Sequence, residues 1–199
     1  MAKADWIKLS QTSGSGNAQI NVSSNEHTGR VARTSILTWK ASNVADIQRT
    51  VNQAGKPEYV DIEDSVSAEK TGTPITISGI SNSKKLTFKL GSGDLDITLP
   101  NTYVAHSLTT NNGANISGDP GAIQAYNFSI VINVPANMTL AEKSRQVIVT
   151  DEGGHQDSCT IVSAAGDAYV IVQEGNIELD YLGTPVTVSV ESNTNWTIE

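Results

Sequence analysis

The sequence is poor in cysteine, in aromatic residues and in charge. Cys159 is the single cysteine of 199 residues, so no disulfide can form within the chain. Charged residues make up 17% of the chain and aromatic residues 5%. No apolar run approaches the roughly 18 residues of a membrane-spanning helix. The net charge of -8 argues against nucleic acid and anionic membranes as partners, because phosphate groups are bound by clustered Lys and Arg.

β-Branched residues dominate what remains. Ile and Val number 35 against 10 Leu, and Ser and Thr number 41. Such side chains fit a pleated sheet and lose rotamer freedom in a helix, so a helical bundle is excluded. Alternating apolar and polar residues, separated by Gly- and Asn-rich turns, predict strands at 19–23, 34–40, 46–52, 74–80, 85–90, 126–134, 146–150, 158–163, 168–173 and 186–190.

Short segments recur along the chain at a nearly constant spacing. The repeated pairs are 72–78 with 183–189, 81–83 with 192–194, 20–22 with 132–134, and 51–55 with 171–175. Their order indicates one complete repeat and one that is split between the two ends of the chain. We therefore predict three parts: 1–56 as the second half of a split module, 57–175 as a complete module with an insertion at about 89–116, and 176–199 as the first half of the split module.

Joined end to end, the two terminal parts resemble the BACON module, an immunoglobulin-like β-sandwich found mostly in proteins of gut Bacteroidetes and their phages. The resemblance rests on Trp196, on the Trp-Ile-Lys-Leu-Ser run at 6–10, on the Ser-Gly-Ser-Gly turn at 13–16, on 33–37 and on Gln-Ala-Gly at 53–55. It implies an all-β fold of tandem immunoglobulin-like sandwiches, one of them assembled from the two chain ends.

The residue types that carry catalysis or bind metals occur without a recognisable arrangement. Asp151, His155 and Asp157 fall between two predicted strands, where a solvated hairpin tip is favoured over a Ca²⁺ or Zn²⁺ site because the spacing matches neither. The carboxylates at 61–64 and 94–96 are interpreted as solvated faces, and Cys159 as a buried thiol. We predict that the protein is not an enzyme and uses no cofactor or metal.

Tryptophan is the residue most relevant to a carbohydrate ligand, because sugars stack on exposed aromatic rings. Trp6 and Trp196 occupy positions at which the BACON resemblance implies structural roles. Trp39, near the end of a predicted strand, is the candidate ligand contact.

The resemblance favours a structural role over carbohydrate binding. We expect an accessory virion protein of a crAss-like phage, of the head-fibre or capsid-decoration kind, with itself and other virion proteins as partners. The alternative is a carbohydrate-binding adhesin that contacts surface glycans. The first residues carry no apolar core of a secretion signal, so we expect assembly in the host cytoplasm and location in the virion.

Two expectations concern assembly. The stretch 89–116 is expected to be a partner-facing surface excursion. Residues 176–199 are expected to complete the module begun by 6–55 on another chain by strand exchange, in a closed dimer ahead of a filament, although closure within one chain stays open. The predicted interface consists of Ile177, Leu179, Tyr181, Val186, Val188, Val190, Trp196 and Ile198.

Overall fold

A computed structural model describes residues 3–173 and 175–199 and is almost entirely β, which confirms the predicted all-β class. Within these residues there is one short 3₁₀ turn, Pro120–Ala122. The strands are β1 (Ile7–Leu9), β2 (Val22–Ser24), β3 (Arg33–Ala41), β4 (Val44–Gln53), β5 (Val60–Ile62), β6 (Ser65–Ala68), β7 (Pro74–Ser81), β8 (Leu86–Gly93), β9 (Thr102–Ala105), β10 (Leu108–Asn111), β11 (Tyr126–Asn133), β12 (Lys143–Asp151), β13 (Gln156–Ser163), β14 (Val170–Val172) and β15 (Val190–Ser192).

Residues 56–166 form a two-layer sandwich, called here the central sandwich. One sheet has the strand order β10-β9-β11-β7-β5 and the other β6-β13-β12-β8. Buried and exposed positions alternate along β7 and β11, as expected for strands with one face on a core. The chain changes sheets between β5 and β6, and β6 pairs in parallel with β13.

The core between the two sheets is apolar and continuous. Ile77, Ile132 and Val147 are completely buried, and the Phe88 ring lies 5.0 Å from the Tyr103 ring and 5.8 Å from the Phe128 ring, centroid to centroid. Aromatic side chains bury large apolar areas, so this cluster is a main source of the stability of the sandwich.

The stretch 89–116 belongs to this core, which corrects the prediction of a surface excursion. It provides β9 and β10, which extend the five-stranded sheet. Five of its apolar side chains are buried: Leu95, Ile97, Tyr103, Ala105 and Ile116. The high Gly, Asn and Thr content of the stretch reflects its turns, and the short runs between those turns carry the core residues.

Residues 3–55, called here the N-terminal segment, form only part of a sandwich. β1 pairs with β2, and β3 pairs with β4 in a long hairpin. Ile7 and Leu37 are the apolar side chains of this segment that are buried, at 1% and 5% exposure.

Residues 167–173 and 175–199, called here the C-terminal segment, contain the pair β14–β15. The strand predicted at 186–190 is formed only from Val190 onward. Its repeat counterpart β7 has partners on both edges, β5 and β11, whereas the C-terminal segment offers β14 alone. A strand needs hydrogen-bonding neighbours, so residues 186–189 stay irregular.

In the structure the two halves of the repeat align differently from the sequence match of 51–55 with 171–175. Arg33 pairs with Gln53, and Lys143 pairs with Ser163. The bonds from the Lys56 N–H to the Gly29 carbonyl and from the Gly166 N–H to the Thr139 carbonyl have the same spacing, so the first hairpin is equivalent to the second when Arg33 is superposed on Lys143. Residues 51–53 therefore correspond to 161–163. The segment 170–172, matched in sequence to the end of a module, instead resembles β5, because both pair with the strand before a Ser-Asn motif. The domain limits stay a prediction.

Candidate assembly surfaces

A charged junction joins the N-terminal segment to the central sandwich. The Arg30 guanidinium donates to the Asn82 carbonyl at 2.7 Å and forms ion pairs with Glu58, at 3.3 Å, and with Asp119. The Arg30 side chain is 15% exposed. Its backbone N–H donates to the carbonyl of Gly121 at 2.9 Å. Nothing in the sequence marks this cation or its two carboxylates as partners, because they lie far apart in the chain.

Buried Asn82 fixes the entry of the chain into the central sandwich. Its side-chain oxygen accepts from the Tyr59 N–H at 2.9 Å, and its amide donates to the Pro57 carbonyl at 3.0 Å. The neighbouring Ser81 hydroxyl donates to the Tyr59 carbonyl at 2.7 Å. All these bonds hold the start of β5 against the end of β7.

Asn193 repeats this arrangement at the exit. Its side-chain oxygen accepts from the Tyr169 N–H at 3.0 Å, and its amide donates to the Asp167 carbonyl at 2.9 Å. The Ser192 hydroxyl donates to the Tyr169 carbonyl at 2.8 Å. The Asn193 amide also donates to the carbonyl of Met138 in the central sandwich at 2.9 Å. In the sequence, both asparagines are marked by the repeat of Ser-Asn-Ser at 81–83 as Ser-Asn-Thr at 192–194, which does not by itself indicate a function.

The linkers on the two sides are also alike. The Lys56 N–H donates to the Gly29 carbonyl at 2.8 Å, and the Gly166 N–H donates to the Thr139 carbonyl at 2.7 Å, at equivalent positions in the register of the two hairpins. A Cβ added to Gly55 or to Gly166 would overlap a carbonyl oxygen of the loop before the hairpin. Glycine at both positions lets the linker backbone pass directly against that loop.

These two junctions lie at opposite ends of the central sandwich. Tyr126 pairs with Ser81 at the end that contacts Arg30, and Asn133 pairs with Pro74 at the far end. The Met138 loop and the linker at 164–168 follow from that far end. Strands of eight residues separate the two ends by roughly 25 Å at 3.3 Å per residue.

The N-terminal segment leaves apolar side chains of its hairpin uncovered. Trp39 is 41% exposed, and Ile47, its cross-strand partner on the same face, is 48% exposed. In the matched register Trp39 corresponds to Val149, which is completely buried in the central sandwich, and Leu37 corresponds to Val147. The hairpin thus has the sequence of a sandwich layer but only part of the opposite layer.

The C-terminal segment resembles part of the opposite layer, and its apolar side chains are also uncovered. Its predicted interface residues are exposed or half-buried: Ile177 (53%), Leu179 (66%), Tyr181 (95%), Val186 (48%), Trp196 (47%), Ile198 (84%), and the half-buried Val188 and Val190. By the repeat of 72–78 in 183–189, Val186 and Val188 correspond to Ile75 and Ile77, which are buried in the central sandwich. Among the described residues, no strand of the C-terminal segment pairs with a strand of the N-terminal segment.

The structure assigns Trp6 a definite contact. The Arg33 guanidinium lies 4.7 Å from the centre of its ring, within cation–π distance. Trp6 is half-buried, whereas Trp196 is largely exposed.

The predicted polar clusters are dispersed. The Asp151 carboxylate lies 2.9 Å from the ring Nδ1 of His155, whereas Asp157 points elsewhere and accepts from the Ile62 N–H at 2.9 Å. Within the described part of the chain no group of three or more His, Cys, Asp or Glu is placed to hold a metal. Asp94 accepts from the Ser144 N–H at 3.0 Å, and hydrogen bonding to that backbone lowers the pKa of its exposed carboxyl.

An open depression of about 740 Å³ lies where β5 and β6 meet the five-stranded sheet. Asp61, Glu63 and Asp64 line it together with Ser78 and Asn127. The Glu63 carboxylate already accepts from the Ser78 N–H at 2.9 Å, and the Asp64 carbonyl accepts from the Thr160 N–H. These contacts tie the sheet-switching segment to both layers, so Glu63 has a structural role.

Among the described residues, no helix has the length and apolar character needed to cross a membrane.

Comparison with known proteins gives no family. No family model and no curated protein matches the chain. Among solved structures, a protein from Bacteroides thetaiotaomicron is similar, with 18% identity over 56% of this chain and 90% of its own and a TM-score of 0.27. An endo-fucoidan hydrolase of glycoside hydrolase family 107 is similar over 83% of this chain and 22% of its own, with 11% identity and a TM-score of 0.30. Both TM-scores are too low to carry an inference about fold or function.

Proposed function

We propose that this protein is a structural component that assembles with copies of itself, an accessory virion protein of the phage head-fibre or capsid-decoration kind. In this proposal the chain consists of immunoglobulin-like modules, and the C-terminal segment of one copy completes the N-terminal segment of another by strand exchange. The virion assignment rests on the BACON resemblance. The assembly rests on one observation, the exposure of both segments at positions whose counterparts are buried in the central sandwich.

The occupant of each exposed face is a second copy because the two faces are complementary in sequence. The hairpin β3–β4 has the register of β12–β13, and residues 183–189 repeat 72–78, which begin β7. In the central sandwich these two elements pack on the same core. Burial of one large aliphatic side chain contributes about 1.5–3 kcal/mol, so several such contacts outweigh the cost of ordering residues 186–189.

Light scattering on the purified chain tests the proposal. We expect a mass above that of the 21.1 kDa monomer at micromolar concentration. Removal of residues 176–199 should return the protein to a monomer, because the donor side chains are lost. The matched control is Thr187→Ser, a conservative change on the outer face of the donor, which should keep the assembled mass. A full-length chain that stays monomeric would contradict self-assembly.

Glycan binding is the alternative, with Trp39 as the contact. Trp39 is exposed enough to stack on a sugar, but its correspondence with Val149 accounts equally for its position as an uncovered core residue. A glycan array separates the two: retention of a glycan that is lost in Trp39→Ala, with β3–β4 still folded, would favour the adhesin.

A further inference from the structure

We propose that copies of this chain join head to tail in an open polar row, in which residues 185–188 of one copy pair antiparallel with residues 18–21 of the next. The pairing reproduces the β7–β11 register of the central sandwich. This inference rests on the proposed self-assembly and specifies its geometry.

The register follows from two repeats. In the central sandwich Ile132 pairs with Ile75, and Ile130 pairs with Ile77. Residues 20–22 repeat 132–134, and residues 183–189 repeat 72–78. Transferring the pairing places Ile20 opposite Val186. It also places Ala18 opposite Val188 and Gln19 opposite Thr187.

Among the described strands β2 pairs with β1 alone, and the opposite edge, continued through residues 18–21, is the one this register needs. The Ser10 N–H donates to the Asn21 carbonyl, and the Asn21 N–H donates to the Ser10 hydroxyl, so the backbone of Asn21 faces β1. Backbone groups alternate along a strand, so those of Ile20 and Val22 face the opposite edge. In the central sandwich Val134, the counterpart of Val22, donates to the Thr73 carbonyl at the edge of β7.

The donor strand has the matching edge. The Gln173 N–H donates to the Ser189 carbonyl, just as the Glu63 N–H donates to the Ser78 carbonyl. Residue 189 therefore faces β14, and once residues 186–189 extend as a strand, alternation directs the backbone groups of Val186 and Val188 to the other edge. Both predicted partners thus present the set of groups that β7 and β11 exchange.

Polarity follows from the placement of the two junctions. The N-terminal segment is attached at the Asn82 end of the central sandwich and the C-terminal segment at the Met138 end. The bonds of Asn82 to Tyr59 and Pro57 match those of Asn193 to Tyr169 and Asp167, so the two linkers lead the chain onward in the same direction. A second copy whose residues 18–21 pair with residues 185–188 of the first copy lies further along this line. Residues 185–188 of that second copy are then at its far end, away from residues 18–21 of the first copy. Reciprocal exchange in a closed dimer does not fit this arrangement, so each copy contacts two different neighbours, as in a head-to-tail row.

Disulfide trapping tests the register. Gln19 and Thr187 are exposed, and their counterparts Val131 and Thr76 form a pair on the outer face of the sheet. The alternation makes this a non-hydrogen-bonded pair, with Cα atoms about 4.5 Å apart, within disulfide range. The variant Gln19→Cys with Thr187→Cys should, after oxidation, give a ladder of multimers in steps of 21.1 kDa on a non-reducing gel.

The control pair Gln19→Cys with Pro185→Cys shifts the register by two residues, beyond disulfide range, and should stay unlinked. Cys159 is completely buried and does not compete. A mixture of the two single variants Gln19→Cys and Thr187→Cys should stop at one cross-linked dimer, since each chain then has one reactive end.

The other outcomes overturn the inference in distinguishable ways. A double variant that stops at a dimer shows reciprocal exchange, and an internally linked monomer shows closure within one chain. Assembly by light scattering without this cross-link rejects the register but leaves the proposed function intact. Absence of assembly in light scattering rejects both.

Discussion

At the scale of single residues, one side chain type makes the same bonds at two sites with different burial. Asn82 is completely buried and bonded on both its oxygen and its amide, whereas Asn193 makes the corresponding bonds while half-buried. A buried polar group is costly to leave unpaired, and an exposed one is satisfied by water.

The pair provides a matched test. Asn82→Ala leaves the Tyr59 N–H and the Pro57 carbonyl without their partner, and we expect a loss of about 2–4 kcal/mol in the free energy of unfolding. Asn193→Ala should lower it by less than about 1 kcal/mol, since water reaches the groups that it frees. Urea titration of both variants measures the difference. Equal losses would show that burial does not set the strength of this network.

Cys159 makes stability depend on pH. Burial, together with the negative charges of Glu63, Asp64 and Asp157, raises the pKa of its thiol from 9.0 to about 11. The unfolded chain therefore loses this proton first. The stabilisation is complete below pH 9, declines as the pH rises, and is lost above the folded pKa.

We expect the free energy of unfolding to fall by up to about 3 kcal/mol between pH 9 and pH 11 through this thiol. Burial also raises the pKa of Tyr103 and Tyr126, so the wild type alone does not isolate the effect. Cys159→Ala removes the thiol and keeps both tyrosines. Urea titrations at each pH should give a shallower decline in the variant, and parallel curves would contradict the assignment.

At the scale of elements, β9 shows how a stretch rich in turn residues can belong to a core. Tyr103 is 2% exposed against Phe88, and its neighbour Val104 is 40% exposed on the other face. Tyr103→Ala should cost about 3–5 kcal/mol of stability because it empties a large buried volume. Val104→Ala should cost well under about 1 kcal/mol. Thermal melting of the two variants measures the difference. A small effect of Tyr103→Ala would contradict the assignment of 89–116 to the core and favour a surface excursion.

The strands that sequence periodicity predicted correctly are those with partners in the chain. The hairpins β3–β4 and β12–β13 were placed close to their observed limits because alternation and turn signals agree there. The strand at 186–190 was placed from an equally clear alternation, but its neighbour β14 is short and pairs only from Val190 onward, so the strand forms only in part. Periodicity reports which face could be buried and does not report whether anything covers it.

The candidate sites divide in the same way. In the C-terminal segment, Val186 and Val188 stand out in the sequence because 183–189 repeats 72–78, and the structure leaves them exposed or half-buried; their role in an interface stays a prediction. The ion pairs of Arg30 were not predicted, because Glu58 and Asp119 lie far along the chain from it and nothing local marks them. Long-range polar contacts depend on the tertiary fold, which short motifs do not specify.

At the scale of the whole molecule, the chain has one filled core and two apolar faces that are largely uncovered, joined by two junctions of like geometry. Its net charge of -8 opposes close approach of copies, so the proposed self-assembly would depend on the apolar faces and would be favoured by salt that screens the repulsion. Apolar burial, and with it stability, is accordingly concentrated in the central sandwich.

The parallel pairing of β6 with β13 determines how the molecule carries a mechanical load. The chain enters the central sandwich just before β5 and leaves just after β13, at opposite ends, so a pull on the chain at these two ends draws β6 and β13 in opposite directions along their lengths. The residue pairs that join them, from Ser65–Thr160 to Ala68–Ser163, are then sheared together instead of being peeled apart one by one. A row of such units would therefore withstand a larger force along its axis than a force that peels the two strands of one hairpin apart.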